Sequence, residues 1–282
     1  MLLGYNTNGF AHHDLIEAIK VLAEIGYQSV AITLDHHTLN PYSDSYLDDL
    51  IAVSLCLKHY KMRSVIETGA RYLLDPRTKH EPTLLSQDHE ARQRRSDFLR
   101  LAIDVASALQ SDCVSLWSGV LRGAMSNGAA MELLETGLIP LVEYAKSRGV
   151  TIGFEPEPGM LIDTMERFEQ LHSRLNSNHF QLTLDIGHLH CLGETPIDSY
   201  VRRWRDQIVN VHIEDMRAGV HDHLMFGEGE IDFVPVLNAL HEIGYTGGLH
   251  VELSRHSHDA PAVARRAFEF LSSLVSHIDS AG

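Results

Sequence analysis

Cysteine is scarce in this 282-residue chain. Cys56, Cys113 and Cys191 stand far apart and form no CxxC pair. That argues against a disulfide framework and reads as isolated thiols in a reducing cytoplasm. No apolar run approaches the ~18–20 residues that cross a bilayer, so no membrane span is expected. The N-terminal MLLGYNTNGF lacks a basic stretch leading into an apolar one, so no secretory signal is expected either. A GxGxxG turn, which a doubly wound nucleotide-binding sheet would carry after an early strand, is missing. So is any linker or low-complexity stretch, and residues 1–282 read as a single domain. Positive charge is also in deficit: 23 Lys+Arg face 38 Asp+Glu, a net charge of −15. Such a field repels nucleic acid and anionic membranes. The densest basic run, Arg92-Gln93-Arg94-Arg95, lies in an expected helix and reads as a solvated face.

What is present is alternation. Short β-rich runs fall at 2–6, 29–34, 63–68, 113–118, 151–156, 180–185, 208–213 and 248–253, with helical patterns between them. Leu15, Ile19, Leu22 and Ala23 mark one buried helix face, and Phe98, Leu101, Ala102, Val105, Ala106 and Leu109 mark another. Helices over 127–148 and 232–243 are expected to stop at Gly149 and Gly244. Eight βα units in this length predict an α/β fold, a (β/α)8 TIM barrel. The irregular segment at about 70–90, with Pro76 and Pro82, reads as a long loop on the catalytic face.

Histidine is abundant, at 19 residues, so position must decide which of them act. Side chains alternate along a strand. Counting from the apolar residues, Ile152 and Phe154 point out and Thr151, Gly153 and Glu155 point in. Leu182 and Leu184 point out; Gln181, Thr183 and Asp185 point in. Val209, Val211 and Ile213 point out; Asn210 and His212 point in. Leu249, Val251 and Leu253 point out; His250 and Glu252 point in. Four successive strands thus aim Glu155, Asp185, His212 and Glu252 at one mouth. Three buried carboxylates together are costly without compensation, and a divalent cation is the simplest compensation. One imidazole and three carboxylates suit Mn2+, Mg2+, Co2+ or Zn2+.

The ordered runs FEPEPG (154–159), LTLDIGH (182–188), VHIED (211–215), FGEGEID (226–232) and HVELS (250–254) resemble the sugar isomerase/epimerase superfamily. That group has a xylose-isomerase-like barrel and includes ketose 3-epimerases, hydroxypyruvate isomerases, inosose dehydratases and endonuclease IV. The resemblance covers essentially the whole chain and is strongest from 150 to 256. It implies that Glu155, Asp185, His212 and Glu252 bind the metal, and that Glu155 and Glu252 are the catalytic acid and base. His188 matches the family's DxxH histidine. His188, His221 and His223 are expected either to hydrogen-bond substrate or to hold a second metal. Glu157, Arg217 and Trp117 are expected to bind substrate: Glu157 a sugar hydroxyl, Arg217 an oxygen or phosphate, Trp117 a sugar face or else the barrel core. The implied activity is isomerisation or epimerisation of a small sugar, polyol or keto acid, phosphorylated or not, through an enediolate. A dehydratase or lyase on the same scaffold, and an endonuclease-IV-like phosphodiesterase, are the alternatives; net charge and the lack of histidine at the ends of strands three and four weigh against the latter. The expected partner is a small carbohydrate-like molecule, with no nucleic acid and no membrane. Homodimerisation is common in such barrels.

Overall fold

The computed structural model describes residues 1–281, with side chains through Ile278. Strands β1 (Leu2–Asn6), β2 (Ser29–Thr33), β3 (Arg63–Glu67), β4 (Val114–Leu116), β5 (Ile152–Phe154), β6 (Phe180–Asp185) and β7 (Ile208–Ile213) are followed by a small hairpin, β8 (Asp215–Arg217) and β9 (Val220–Leu224), and then by β10 (Gly248–Val251). The hairpin strands pair only with each other. The other eight form a closed barrel in the order β1-β10-β7-β6-β5-β4-β3-β2, parallel throughout. Each of the eight runs expected from the sequence contains one barrel strand.

The helices between them are set by local chemistry. Asp14 caps α1 (Leu15–Ile25) by accepting from the Ile16 and Glu17 amides. After α2 (Tyr46–Tyr60) comes α3 (His89–Leu109), capped by Asp88, and then α4 (Asn127–Ser147), capped by Ser126. Thr164 caps α5 (Met165–Leu175). Two short helices, α6 (Ile186–Cys191) and α7 (Ile197–Arg203), precede α8 (Phe233–Glu242) and α9 (Ala260–Ala281). Gly149 and Gly244 follow α4 and α8 with φ of 68° and 69°, the left-handed geometry that ends a helix at little steric cost. No helix among the described residues is long and apolar enough to cross a membrane.

The basic run in α3 is not a uniform solvated face. Arg95 is 1% exposed. It shares a helix face with Ala91, Phe98, Leu99 and Ala102, so helical periodicity carries it inward however basic its neighbours are. Its guanidinium lies 4.6 Å from the Trp117 ring centroid and 5.4 Å from that of Phe98, and Nη2 donates to the Thr68 carbonyl at 2.8 Å. Burial lowers its pKa to about 10.

Strand parity holds with one exception. Ile152, Phe154, Leu182, Leu184, Val211 and Leu249 are buried in the main core with the helices. Ala31, Val65 and Cys113 form a separate cluster inside the barrel, and Val209, expected to point out, packs against it. The register between β6 and β7 shifts at Leu182/Thr183, so that Leu182 pairs with Ile208 and Thr183 with Asn210. The extra residue at Val209 lets it and Asn210 both serve the interior, as a bulge does. Beyond the shift, Asp185 is level with His212, and His212 with His250. A buried polar chain crosses the barrel here. Ser29 Oγ donates to His250 Nε2 at 2.9 Å, and His250 Nδ1 donates to Asn210 Oδ1 at 2.7 Å. Burial, with His212 nearby, lowers the His250 pKa to about 3, which keeps the ring neutral.

Candidate metal centre and active site

Glu155 follows β5, Asp185 ends β6, His212 is the penultimate residue of β7, and Glu252 follows β10. All four therefore stand at the C-terminal mouth of the barrel. One ligand atom from each lies within 4.8 Å of those of the other three. His212 Nδ1 faces the carboxylates: it is 2.9 Å from Glu155 Oε1, 3.1 Å from Glu252 Oε2 and 3.8 Å from Asp185 Oδ2. Asp185 is pinned from behind, because its Oδ1 accepts from the His188 amide at 2.8 Å and caps α6. Its Oδ2 is buried with no hydrogen-bond partner. A buried carboxylate oxygen left without a donor, among two glutamates and an imidazole, fits a divalent cation.

The electrostatics diverge within the cluster. Burial raises the Glu155 pKa to about 8, with Glu252 and Asp185 adding to the shift and His212 opposing it. Burial acts on Glu252 in the same direction, but the charge and hydrogen bond of His212, with His223 and His188, hold its carboxyl well below the usual range. Asp185 is likewise buried, yet His188 and His212 lower its pKa. Burial disfavours the His212 imidazolium, but Glu155, Glu67 and Glu252 outweigh it and raise the pKa well above the ordinary value. Without metal, a proton on His212 Nδ1 occupies the side of the ring that faces the carboxylates.

A triad of histidines adjoins the quartet. His188 is 4% exposed, and its Nδ1–H donates to the Pro156 carbonyl at 3.1 Å. Burial lowers its pKa to about 4, so Nε2 carries a lone pair and accepts from His221 Nε2 at 3.1 Å. His223 differs. Burial opposes its charge, but Glu214 raises its pKa to about 10 across a 3.8 Å ion-pair separation. His188, His221 and His223 also hold one ligand atom each within 4.8 Å of one another. Glu157 carboxylate oxygens lie 3.8 Å from His188 Nε2 and from His221 Nε2.

A cavity of about 300 Å³ opens over the quartet. Its lining includes Glu155, Glu157, His212, His221, His223, Glu252 and Trp117. Trp117 lines the cavity beside His80, with 5.5 Å between the ring centroids, and Arg95 lies over its ring. Arg217 does not reach it. That residue is exposed on the β8–β9 hairpin and donates to the Glu228 carbonyl at 3.0 Å. Five residues beyond His212, the chain has already turned away from the mouth into the hairpin.

Several lining residues escaped the sequence reading. Glu67 ends β3, and its inward parity with Val65 was the available signal. Its Oε1 accepts from His212 Nε2 at 2.9 Å and from Asn210 Nδ2 at 3.3 Å. Asn8 Nδ2 donates to Glu252 Oε1 at 2.7 Å. Arg71, Lys79 and His80 enter from the irregular segment between β3 and α3, and Arg255 from a short 3-10 turn (Ser254–Asp259), where no strand or α-helix periodicity could have marked them.

Residues 19–274 match the protein family described as xylose isomerase-like TIM barrel. The chain is 24% identical over 250 residues to L-ribulose-5-phosphate 3-epimerase UlaE of Shigella flexneri, covering 88% of this chain and 84% of that protein. It is 28% identical over 262 residues to the uncharacterized protein MJ1311 of Methanocaldococcus jannaschii, covering 89% and 83%. Among solved structures, a D-tagatose 3-epimerase-like protein superposes with a TM-score of 0.81 at 23% identity, over 100% of this chain and 99% of the other. The IolI protein with a binding zinc atom superposes with a TM-score of 0.80 at 19% identity, over 99% of both chains.

Proposed function

Because this chain belongs to the xylose isomerase-like TIM-barrel family, we propose that it is a divalent-cation-dependent isomerase or epimerase of a small sugar, polyol or keto acid. The observation that carries the reading is the convergence of Glu155, Asp185, His212 and Glu252, of which Glu155, His212 and Glu252 line one cavity. The similarity to an L-ribulose-5-phosphate 3-epimerase supports it. Glu155, Asp185, His212 and Glu252 hold the cation, with Mn2+, Mg2+, Co2+ and Zn2+ all suited to the donor set. When bound, the cation supplies Lewis acidity that acidifies a C–H beside a substrate carbonyl and stabilises the resulting enediolate.

The protein's own groups divide the proton work. Glu252 is held ionised and receives the Asn8 amide, which fixes its orientation; it is the base that removes the α-proton. Glu155 is the group that returns a proton, and the burial that raises its metal-free pKa makes it the readier of the two glutamates to carry one. Return to the opposite face of the same carbon gives epimerisation, and return of a proton to the neighbouring carbon gives isomerisation. Glu157 and Trp117 orient the substrate's hydroxyls and carbon face. His188, His221 and His223 act as hydrogen-bond partners of the substrate. The 3.8 Å approach of Glu214 to His223 Nδ1 supports that role, since it favours a protonated ring that donates. A second cation at these three histidines is the competing reading, favoured by their clustering. Metal content decides between them: about one ion per chain supports the first and about two the second.

The activity is tested by incubating metal-loaded protein with ketoses, inososes and hydroxy-keto acids in D2O. Deuterium should enter the carbon beside the carbonyl of at least one of them. A metal-loaded protein that exchanges none of the panel, while other members of the family exchange theirs under the same conditions, overturns the reading.

A further inference from the structure

The cavity has an acidic floor and a basic rim. Arg71 and Lys79 reach it from the loop between β3 and α3, and Arg255 from the segment after β10. Arg255 is paired with Asp222 at 2.5 Å. Arg71 donates to a neutral acceptor, the Asn8 carbonyl, at 3.2 Å. Lys79 makes no ion pair within 4.0 Å among the described residues. Arg71 and Arg255 both repel the Lys79 ammonium, which burial already disfavours, while Glu157 opposes the shift. Three cations and one close counterion leave about two positive charges at the rim, in a chain whose net charge is −15. Like charges gathered at a cavity mouth repel one another, and an anion placed among them relieves the repulsion. A phosphate monoester carries about −1.5 to −2 near neutrality and accepts both the fork of an arginine and the point charge of a lysine.

We propose that Arg71, Lys79 and Arg255 form a phosphate subsite, and that the substrate carries a phosphate monoester at the end remote from its reacting carbonyl. This rests on the proposed isomerase reading for the carbonyl end only. The phosphate is held at the rim while the carbonyl end descends to Glu155 and Glu252. A cavity of about 300 Å³ is at the small end of ligand sites, which suits a short-chain sugar phosphate. Ser254 also lines this cavity and offers an uncharged hydroxyl donor.

The experiment has two arms, both on metal-loaded protein. In the first, ribulose 5-phosphate and free ribulose, each as both enantiomers, are compared for solvent deuterium incorporation. In the second, binding of radiolabelled inorganic phosphate is measured by equilibrium dialysis for the wild type, Arg71→Met/Lys79→Met and Lys79→Arg. The metal site is common to all three proteins, so its own affinity for phosphate cancels. The phosphate ester should exchange with a kcat/KM at least about tenfold above that of the free ketose, mostly through KM. Phosphate binding should weaken at least about tenfold in the double variant and be largely kept in Lys79→Arg, with unchanged thermal melting and metal content. Equal use of the two ketoses together with undiminished phosphate binding in the double variant overturns the subsite and leaves the isomerase reading standing. Loss of phosphate binding in the double variant, with no exchange of any carbonyl substrate, upholds the subsite and sinks the isomerase reading instead.

Discussion

Glu67 and His212 meet inside the barrel, with the carboxylate Oε1 2.9 Å from the imidazole Nε2. Both are buried, at 7% and 1% exposure. The bond turns the other nitrogen, Nδ1, toward Glu155, Glu252 and Asp185. Glu67 therefore sets both the orientation and the tautomer of the ring in the proposed cation site. Replacing it with alanine should weaken divalent-metal binding roughly 10–100-fold while the metal quartet stays intact. A competition titration against a metallochromic chelator measures this, and an unchanged dissociation constant would show that Glu67 does not position His212.

The quartet itself is tested by Asp185→Asn, which keeps one oxygen to cap α6 and removes the charge. Metal content by elemental analysis should fall from about one ion per chain toward zero, with the fold retained. Full retention of metal would remove Asp185 from the ligand set.

Glu252→Gln keeps the shape of the side chain and removes the proposed base. Deuterium exchange should drop by roughly 10²–10⁴-fold, read on samples matched for metal content by added excess metal. Exchange at the wild-type rate would exclude Glu252 as the essential base.

Metal uptake should be proton-coupled. In the metal-free protein Glu155 has its pKa raised to about 8 and that of His212 is raised well above its ordinary value, so near neutrality both tend to hold protons that a cation must displace. Raised pKa values mean that the protons are lost only as pH climbs, so apparent metal affinity should increase from pH 6 to pH 8, with proton release greatest at the acid end. Calorimetry in buffers of different ionisation enthalpy counts the protons. Affinity that is flat or falls across this window would contradict the assignment.

Asp215 carries the loop that follows the hairpin. It is 1% exposed and accepts from the amides of Met216, Gly227, Gly229 and Ile231. Removing it strands up to four donors, so Asp215→Ala should cost on the order of 3 kcal/mol or more. A urea denaturation series measures the loss, and a variant within 0.5 kcal/mol of wild type, roughly the scatter of neutral surface changes, would mean that the loop re-pairs its amides elsewhere.

Much of this molecule was legible from its order of residues. A strand alternates because successive Cβ atoms point to opposite sides of an extended backbone, so parity is a local property. That is why Glu155, Asp185, His212 and Glu252 could be assigned to one mouth before any coordinates. The same rule failed at Val209, where one extra residue in the β6–β7 register brought an apolar side chain inside. It also failed to value Glu67, since parity says which way a carboxylate points and not which ring it meets 145 positions away.

The sequence by itself determined the eight-fold alternation, the closed α/β barrel it implies and the inward polar set at four strand ends. All of these follow from periodicities of two and 3.6 residues that each segment carries alone. Only the tertiary structure decided that Arg95 is buried against Trp117, that Arg217 lies off the cavity, and that Arg71, Lys79 and Arg255 lie on it. Loop paths have no period, and the neighbours of a side chain on them are set by how distant segments pack. Charge at the rim therefore had to be read in three dimensions, whereas charge at the floor could be counted along the strands.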